Sequence, residues 1–164
     1  MVPLALGTQT RGSLIRPASF CGAVGFKPTL NTIHKGGVHP LSSTLDHVGT
    51  IAASVADAWA ASRLMSSVPG DTSGHRPLDG QPDKLKPKAL KKVAVLRFGE
   101  WDSIGEATLA TLEAALKTLE GHDCNIRLVS DDAQLALLEQ NLLDIIDSHS
   151  VDILAYEMKW PFAS

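Results

Sequence analysis

Cysteine is scarce in this chain: Cys21 and Cys124 are the only two in 164 residues. They form no CxxC unit, and none of the six histidines belongs to an HExxH pair. A disulfide framework and a zinc site are therefore disfavoured, no other metal or cofactor is implied, and two reduced thiols in a cytoplasmic protein are the plainer reading. No apolar run approaches the roughly 20 residues needed to span a bilayer. Met1 leads directly into Val2-Pro3-Leu4-Ala5-Leu6 with no basic segment, which does not read as a secretory leader. With 15 Lys and Arg against 18 Asp and Glu, the net charge of −3 gives no general attraction to nucleic acid or to anionic membranes. Two serine and phosphate motifs are missing as well: there is no GxSxG elbow and no Walker lysine after a glycine run.

What remains is a globular composition, 44% hydrophobic and 20% charged, in a chain long enough for one ordinary domain. Three stretches follow one another. Residues 1–68 are rich in Gly, Ser, Thr and Ala. Residues 69–91 hold Pro69, Pro77, Pro82 and Pro87 among glycines and lysines, a composition that sustains neither helix nor central strand and predicts an exposed linker. Lys84, Lys86, Lys88, Lys91 and Lys92 have no interleaved aromatic, so a solvated surface is favoured over a phosphate-binding patch. Residues 92–164 continue the same domain as strand, helix, strand, helix.

Local patterns sharpen this. Pro3 to Thr8 suits a buried strand. Ser54 reads as an N-cap with Asp57 in the first turn, opening a helix to about Ser67. Lys92 to Phe98 is a β-branched strand. Ser103 and Glu106 have capping-box spacing, Leu109, Leu112, Leu116 and Leu119 recur at helical intervals, and Gly121 suits a C′ position. Asn125 to Val129 is a further strand, and Leu135, Leu138, Leu142 and Ile145 form a second helical stripe. Both stripes are expected to be core faces. The alternation predicts an α/β arrangement with a right-handed crossover.

The chemically informative stretch is Leu6-Gly7-Thr8-Gln9-Thr10-Arg11-Gly12-Ser13-Leu14-Ile15-Arg16-Pro17-Ala18-Ser19-Phe20-Cys21-Gly22. A tight turn after a strand leaves successive N–H groups without ladder partners, and such donors form the concavity that an oxyanion hole requires. Ser13 would sit at its rim, where an activated hydroxyl could attack a carbonyl. Spacing alone leaves the commoner alternative open, that Ser13 is an ordinary turn residue.

Gly7 to Gly22, continuing through Ala23-Val24-Gly25-Phe26-Lys27-Pro28-Thr29, resembles the amidase-signature motif GT[DQ]TGGS…RPAAFCG.VG.KPT. Ser43-Thr44-Leu45-Asp46-His47-Val48-Gly49-Thr50-Ile51-Ala52 is similar to the family's SLDHVGPLA stretch, and Ile153 to Met158 is similar to a weaker imayE element. The resemblance is strong over residues 5–60 and faint beyond 90. It implies a partial amidase-signature fold, a mixed β-sheet core flanked by helices and truncated at both ends. It also implies a Ser–cis-Ser–Lys hydrolase acting through an acyl-enzyme on a small-molecule amide. By position Ser13 matches the nucleophile, and the backbone N–H groups of Thr10, Arg11, Gly12 and Ser13 match the oxyanion hole. Arg16 matches the arginine that meets a substrate carboxylate in members resembling malonamidase, a task suited to a bidentate guanidinium; pairing with a nearby acid is the alternative.

The family's catalytic lysine and GGSSGGS segment lie upstream of the portion matched here. No lysine precedes Lys27, which belongs to the KPT element, and no Gly-Ser-Ser occurs. The isolated chain is therefore expected to be inactive. Arg11 stands where the family has glycine; if that position needs φ > 0, the arginine adds strain of about 1–2 kcal/mol. Two other readings compete: a non-catalytic remnant or interaction module, and an amidotransferase A-type chain. Arg16 spacing and Gln9 argue against the last. Exposed strand edges and apolar faces are expected to drive self-association, which sedimentation would reveal.

Overall fold

The computed structural model describes residues 2–66, 78, 80–97 and 101–158. The chain forms two compact units, one of residues up to Lys86 joined by those from Ile153 onward, the other of Pro87–Asp152. The front of the expected linker, through residue 77, and Phe98 at the end of the expected strand lie outside the described residues. Residues 81–91 run without helix or strand and are exposed throughout.

In the first unit, β3 (His47–Ala52) is the central strand, with β1 (Leu4–Gln9) on one side and β2 (Val24–Phe26) on the other, all antiparallel. The register pairs Gln9 with His47 and Gly7 with Gly49. β1 is not the buried strand its apolar run suggests: it alternates, leaving Leu4 and Leu6 on an exposed face, with Gln9 its buried residue. Between β1 and β2 lies the short helix α1 (Ile15–Phe20), whose buried residue is Ala18. Two glycines let backbone and helix approach. A Cβ on Gly49 would stand 2.4 Å from the Phe26 carbonyl oxygen and 2.7 Å from Leu14 Cδ1, and one on Gly25 would stand 2.9 Å from Ala18 Cβ. Leu14 fills the space so created and is wholly buried.

Helix α2 (Val55–Ser66) begins as its sequence predicts: Ser54 Oγ accepts from the Asp57 N–H at 3.1 Å and donates to the Asp57 carboxylate at 2.7 Å. It joins β3 through polar as well as apolar contacts. The Thr50 hydroxyl donates to the Ala58 carbonyl at 3.1 Å and lies 3.1 Å from Ser62 Oγ, and both side chains are fully buried. Trp59 meets Phe26 edge to face with ring centroids 6.2 Å apart, and its Nε1–H donates to the Pro82 carbonyl.

The second unit holds β4 (Lys92–Val95), α3 (Glu106–Glu120) and β5 (Asn125–Leu128), with β4 and β5 parallel from Lys92↔Asn125 to Val95↔Leu128. The two pairing senses expected of a mixed core thus occupy separate sheets. Helix α4 (Ala133–Glu157) follows, capped by Asp132 Oδ1, which accepts from the Gln134 and Leu135 amides at 2.9 and 3.3 Å.

Three further local expectations differ from the structure. No side chain caps α3; its N-cap is Gly105, and Ser103 ends the preceding 3₁₀ turn Trp101–Ser103. Gly121 is not left-handed (φ −62°); the left-handed residue is Asp123 (φ 59°), because the turn continues until the Cys124 N–H closes on the Leu119 carbonyl at 3.1 Å. Asp tolerates that conformation better than most residues. The leucines of α3 are half-buried, and in α4 Leu138 and Ile145 are exposed. A two-stranded sheet has too little surface to cover both helix faces.

Candidate active site

The turn between β1 and α1 is closed by a side chain. Gln9, 7% exposed at the end of β1, turns its Oε1 back to accept from the N–H groups of Leu14 and Ile15, each at 3.0 Å. The Arg16 N–H then donates to the Gly12 carbonyl at 2.9 Å, starting the helix. With Leu14 anchored beneath, Ser13 stands exposed at the crown of the turn. Among the described residues no acceptor takes a hydrogen bond from the amides of Arg11, Gly12 or Ser13. An exposed hydroxyl therefore lies in the same short turn as unused donors, the chemistry needed to receive a carbonyl oxygen as it gains charge.

Thr10 anchors the other end. Its hydroxyl donates to Asp46 Oδ1 at 2.6 Å, while Asp46 Oδ2 accepts from the Leu41 and Ser42 amides at 2.7 and 2.9 Å. Burial alone would raise the Asp46 pKa. The Thr10 hydroxyl, the Ser42 and Leu41 amides and the charge of Lys35 outweigh it and hold the carboxyl below its ordinary value.

The structure settles two points about the arginines. Arg11 does not have positive φ; among the described residues the non-glycine residues that do are Asn31 and Asp123. The anticipated strain is absent because the turn keeps ordinary backbone geometry there. Arg16 is exposed on α1 and makes no ion pair among the described residues, so pairing with a nearby acid is not seen. Lys27 Nζ donates to the Pro28 carbonyl at 3.1 Å, beside its own position in the chain. A cavity of about 200 Å³ lies by this region, lined by Thr8, Lys35, Ser42, Asp46 and His47 among others; Ser13, Arg11 and Arg16 do not line it.

The amidase family model matches residues 1–160. The chain belongs to the amidase family. It is 34% identical over 135 residues to the A subunit of glutamyl-tRNA(Gln) amidotransferase from Macrococcus caseolyticus, covering 79% of this chain and 28% of that protein. Over 67 residues it is 51% identical to the corresponding protein of Clostridium botulinum strain Eklund 17B, covering 41% of this chain and 14% of that one. The peptide amidase of Stenotrophomonas maltophilia superposes with a TM-score of 0.62 at 25% identity, covering 98% of this chain and 33% of its own. This amidase chain thus spans little more than a quarter of the length of the first of these curated relatives. Among the described residues no helix is long and apolar enough to cross a membrane.

Motif matching does not reveal how the amidase turn is held. Gln9 accepts from two amides five and six residues on, whereas Asp46, as partner of Thr10, and Glu157, which accepts from Ser42, Ser43 and Thr44, act through partners distant in sequence. The sequence signal for them is weak: Asp46 and Glu157 lie within the two later stretches that resemble the family.

Proposed function

We propose that this chain carries the nucleophile segment of a hydrolase that cleaves carboxamide C–N bonds through a serine acyl-enzyme. Ser13 Oγ attacks the amide carbonyl and its proton passes to a base. The oxyanion is received by the amides of Thr10, Arg11, Gly12 and Ser13. The base returns that proton to the nitrogen as the C–N bond breaks and ammonia or an amine leaves, and water then adds to the acyl-enzyme to release the acid and restore the Ser13 hydroxyl. Arg16, exposed three residues after Ser13, is the contact for a carboxylate on the substrate. The observation carrying this reading is the exposed serine in a turn whose Arg11, Gly12 and Ser13 amides have no acceptor among the described residues.

The 164 residues alone are proposed to be inactive. They contain no lysine before Lys27 and no Gly-Ser-Ser segment, and a positioned base contributes roughly 10²–10⁴ in rate. Exposed Val2, Leu4, Leu6 and Phe20 support association of the isolated chain through uncovered apolar surface. The likeness to amidotransferase A subunits supports a second reading, an amidotransferase A-type subunit that works with a partner.

A chimera tests the site. Residues 1–60 would replace the matching segment of the Stenotrophomonas peptide amidase, which supplies the remaining machinery. We expect amide hydrolysis and labelling by a fluorophosphonate, both lost on Ser13→Ala, and no hydrolysis of malonamate or propionamide by the 164-residue chain alone. A folded chimera whose hydrolysis survives Ser13→Ala would remove Ser13 from the reaction. Glutamine hydrolysis that appears only with an added partner would favour the amidotransferase reading.

A further inference from the structure

Glu157 ends α4, yet its carboxylate is bound by a turn 113 to 115 residues earlier in the chain. The Ser42 hydroxyl donates to Oε2, as does the Thr44 N–H at 3.2 Å. The hydroxyls of Ser43 and Thr44 donate to Oε1 at 3.2 and 2.9 Å. Three consecutive residues thus converge on one carboxylate. Both belong to the same compact unit.

The turn is shared with a second carboxylate. Ser42 gives its hydroxyl to Glu157 and its amide to Asp46, and the Asp46 N–H returns to the Ser42 carbonyl at 3.0 Å. Asp46 in turn holds the Thr10 hydroxyl at 2.6 Å. Ser42 is wholly buried and Asp46 is 6% exposed, so water cannot take over a lost bond at either without the turn moving. The series runs from Glu157 through Ser42 and Asp46 to Thr10, the first residue of the turn that presents Ser13.

We propose that Glu157 is a positioning residue for the Thr10–Ser13 turn, acting through Ser42 and Asp46 to set where that turn's amides stand. Its significance for catalysis rests on the reading of the turn given above; the coupling itself does not. Charge suits the task, because hydrogen bonds to a carboxylate are about twice as strong as neutral ones. The Ser42 hydroxyl, helped by Thr44 and Ser43, holds the Glu157 carboxyl below its ordinary value against the opposing effect of desolvation.

Hydrogen exchange read by mass spectrometry on the 164-residue chain tests the coupling without requiring activity. In Glu157→Ala, exchange should rise roughly tenfold or more in the segment 41–46 and also in 10–16, where the Leu14, Ile15 and Arg16 amides report the turn. Glu157→Gln should restore part of the protection, because its carbonyl still accepts. In a Thr10→Val background, which removes the last link, Glu157→Ala should add nothing further at 10–16. Faster exchange confined to 41–46, or an undiminished effect at 10–16 in Thr10→Val, would overturn the proposal. Should Glu157→Ala also release α2, indicating unfolding, the comparison of Glu157→Gln with Thr10→Val decides by the same criteria. Coupling observed while the chimera keeps its activity in Ser13→Ala would sink the hydrolase reading and leave this one standing.

Discussion

In the unit that contains Ser13 the buried side chains include Gln9, Ser42, Asp46, Thr50 and Ser62, each hydrogen-bonded to a partner distant along the chain or across the turn it closes. In Pro87–Asp152 the buried residue among those described is Cys124, and the leucines of α3 are only half covered. The contrast separates two ways of specifying structure. A buried polar network tolerates little change, since each lost partner leaves a desolvated group unpaired. An apolar stripe needs only the right period and approximate volume. On this basis residue identity should matter more in the first unit, and residue type more in the second.

Truncation of equivalent leucines in the two units should break them unequally. Leu14 is wholly buried against Gly49 and Gly7, so Leu14→Ala should cost about 2–5 kcal/mol. The half-buried Leu112 of α3 should lose about 1 kcal/mol on the same change. Urea unfolding followed by circular dichroism would measure both, and equal losses would refute the contrast. A smaller effect should appear with acid. Asp46 and Glu157 both have pKa values lowered by folding, so their contribution is fully present above about pH 5. It is lost as the pH falls below about 4 and through the folded-state values. The acid limb of a stability–pH curve should therefore flatten in an Asp46→Asn, Glu157→Gln double variant. An unchanged limb would mean that these carboxylates do not link folding to pH.

How far sequence reveals this molecule follows the same division. Period and punctuation locate β1 within a residue, place α2 with its Ser54 cap, and give the parallel β4–α3–β5 order, because each depends on neighbours in the chain. The exposed serine turn is legible for the same reason. Its supports are not. That Gln9 accepts from Leu14 and Ile15, or that Glu157 reaches Ser42, depends on which side chains the fold brings together. The caps of α3 fail for a related reason: Ser103 has the right spacing, but a 3₁₀ turn claims it and leaves Gly105 at the helix start.

Backbone conformation offers the finest comparison between the units, and one pair of glycine substitutions should give opposite signs. Arg11 does not have positive φ, so glycine there would relieve nothing. It would only enlarge the conformational freedom of the unfolded chain, and Arg11→Gly should destabilise by about 0.4–1 kcal/mol. Asp123, in the other unit, does adopt φ 59°. Glycine relieves about 1–2 kcal/mol of left-handed strain there, which outweighs the same added freedom of the unfolded chain, so Asp123→Gly should gain on the order of 0.5–1 kcal/mol. Chemical denaturation resolves differences of this size. Stabilisation by Arg11→Gly would show that the turn presenting Ser13 holds its arginine under strain after all, and that its donors are aimed at the expense of backbone energy rather than by the side-chain anchors of Gln9 and Asp46.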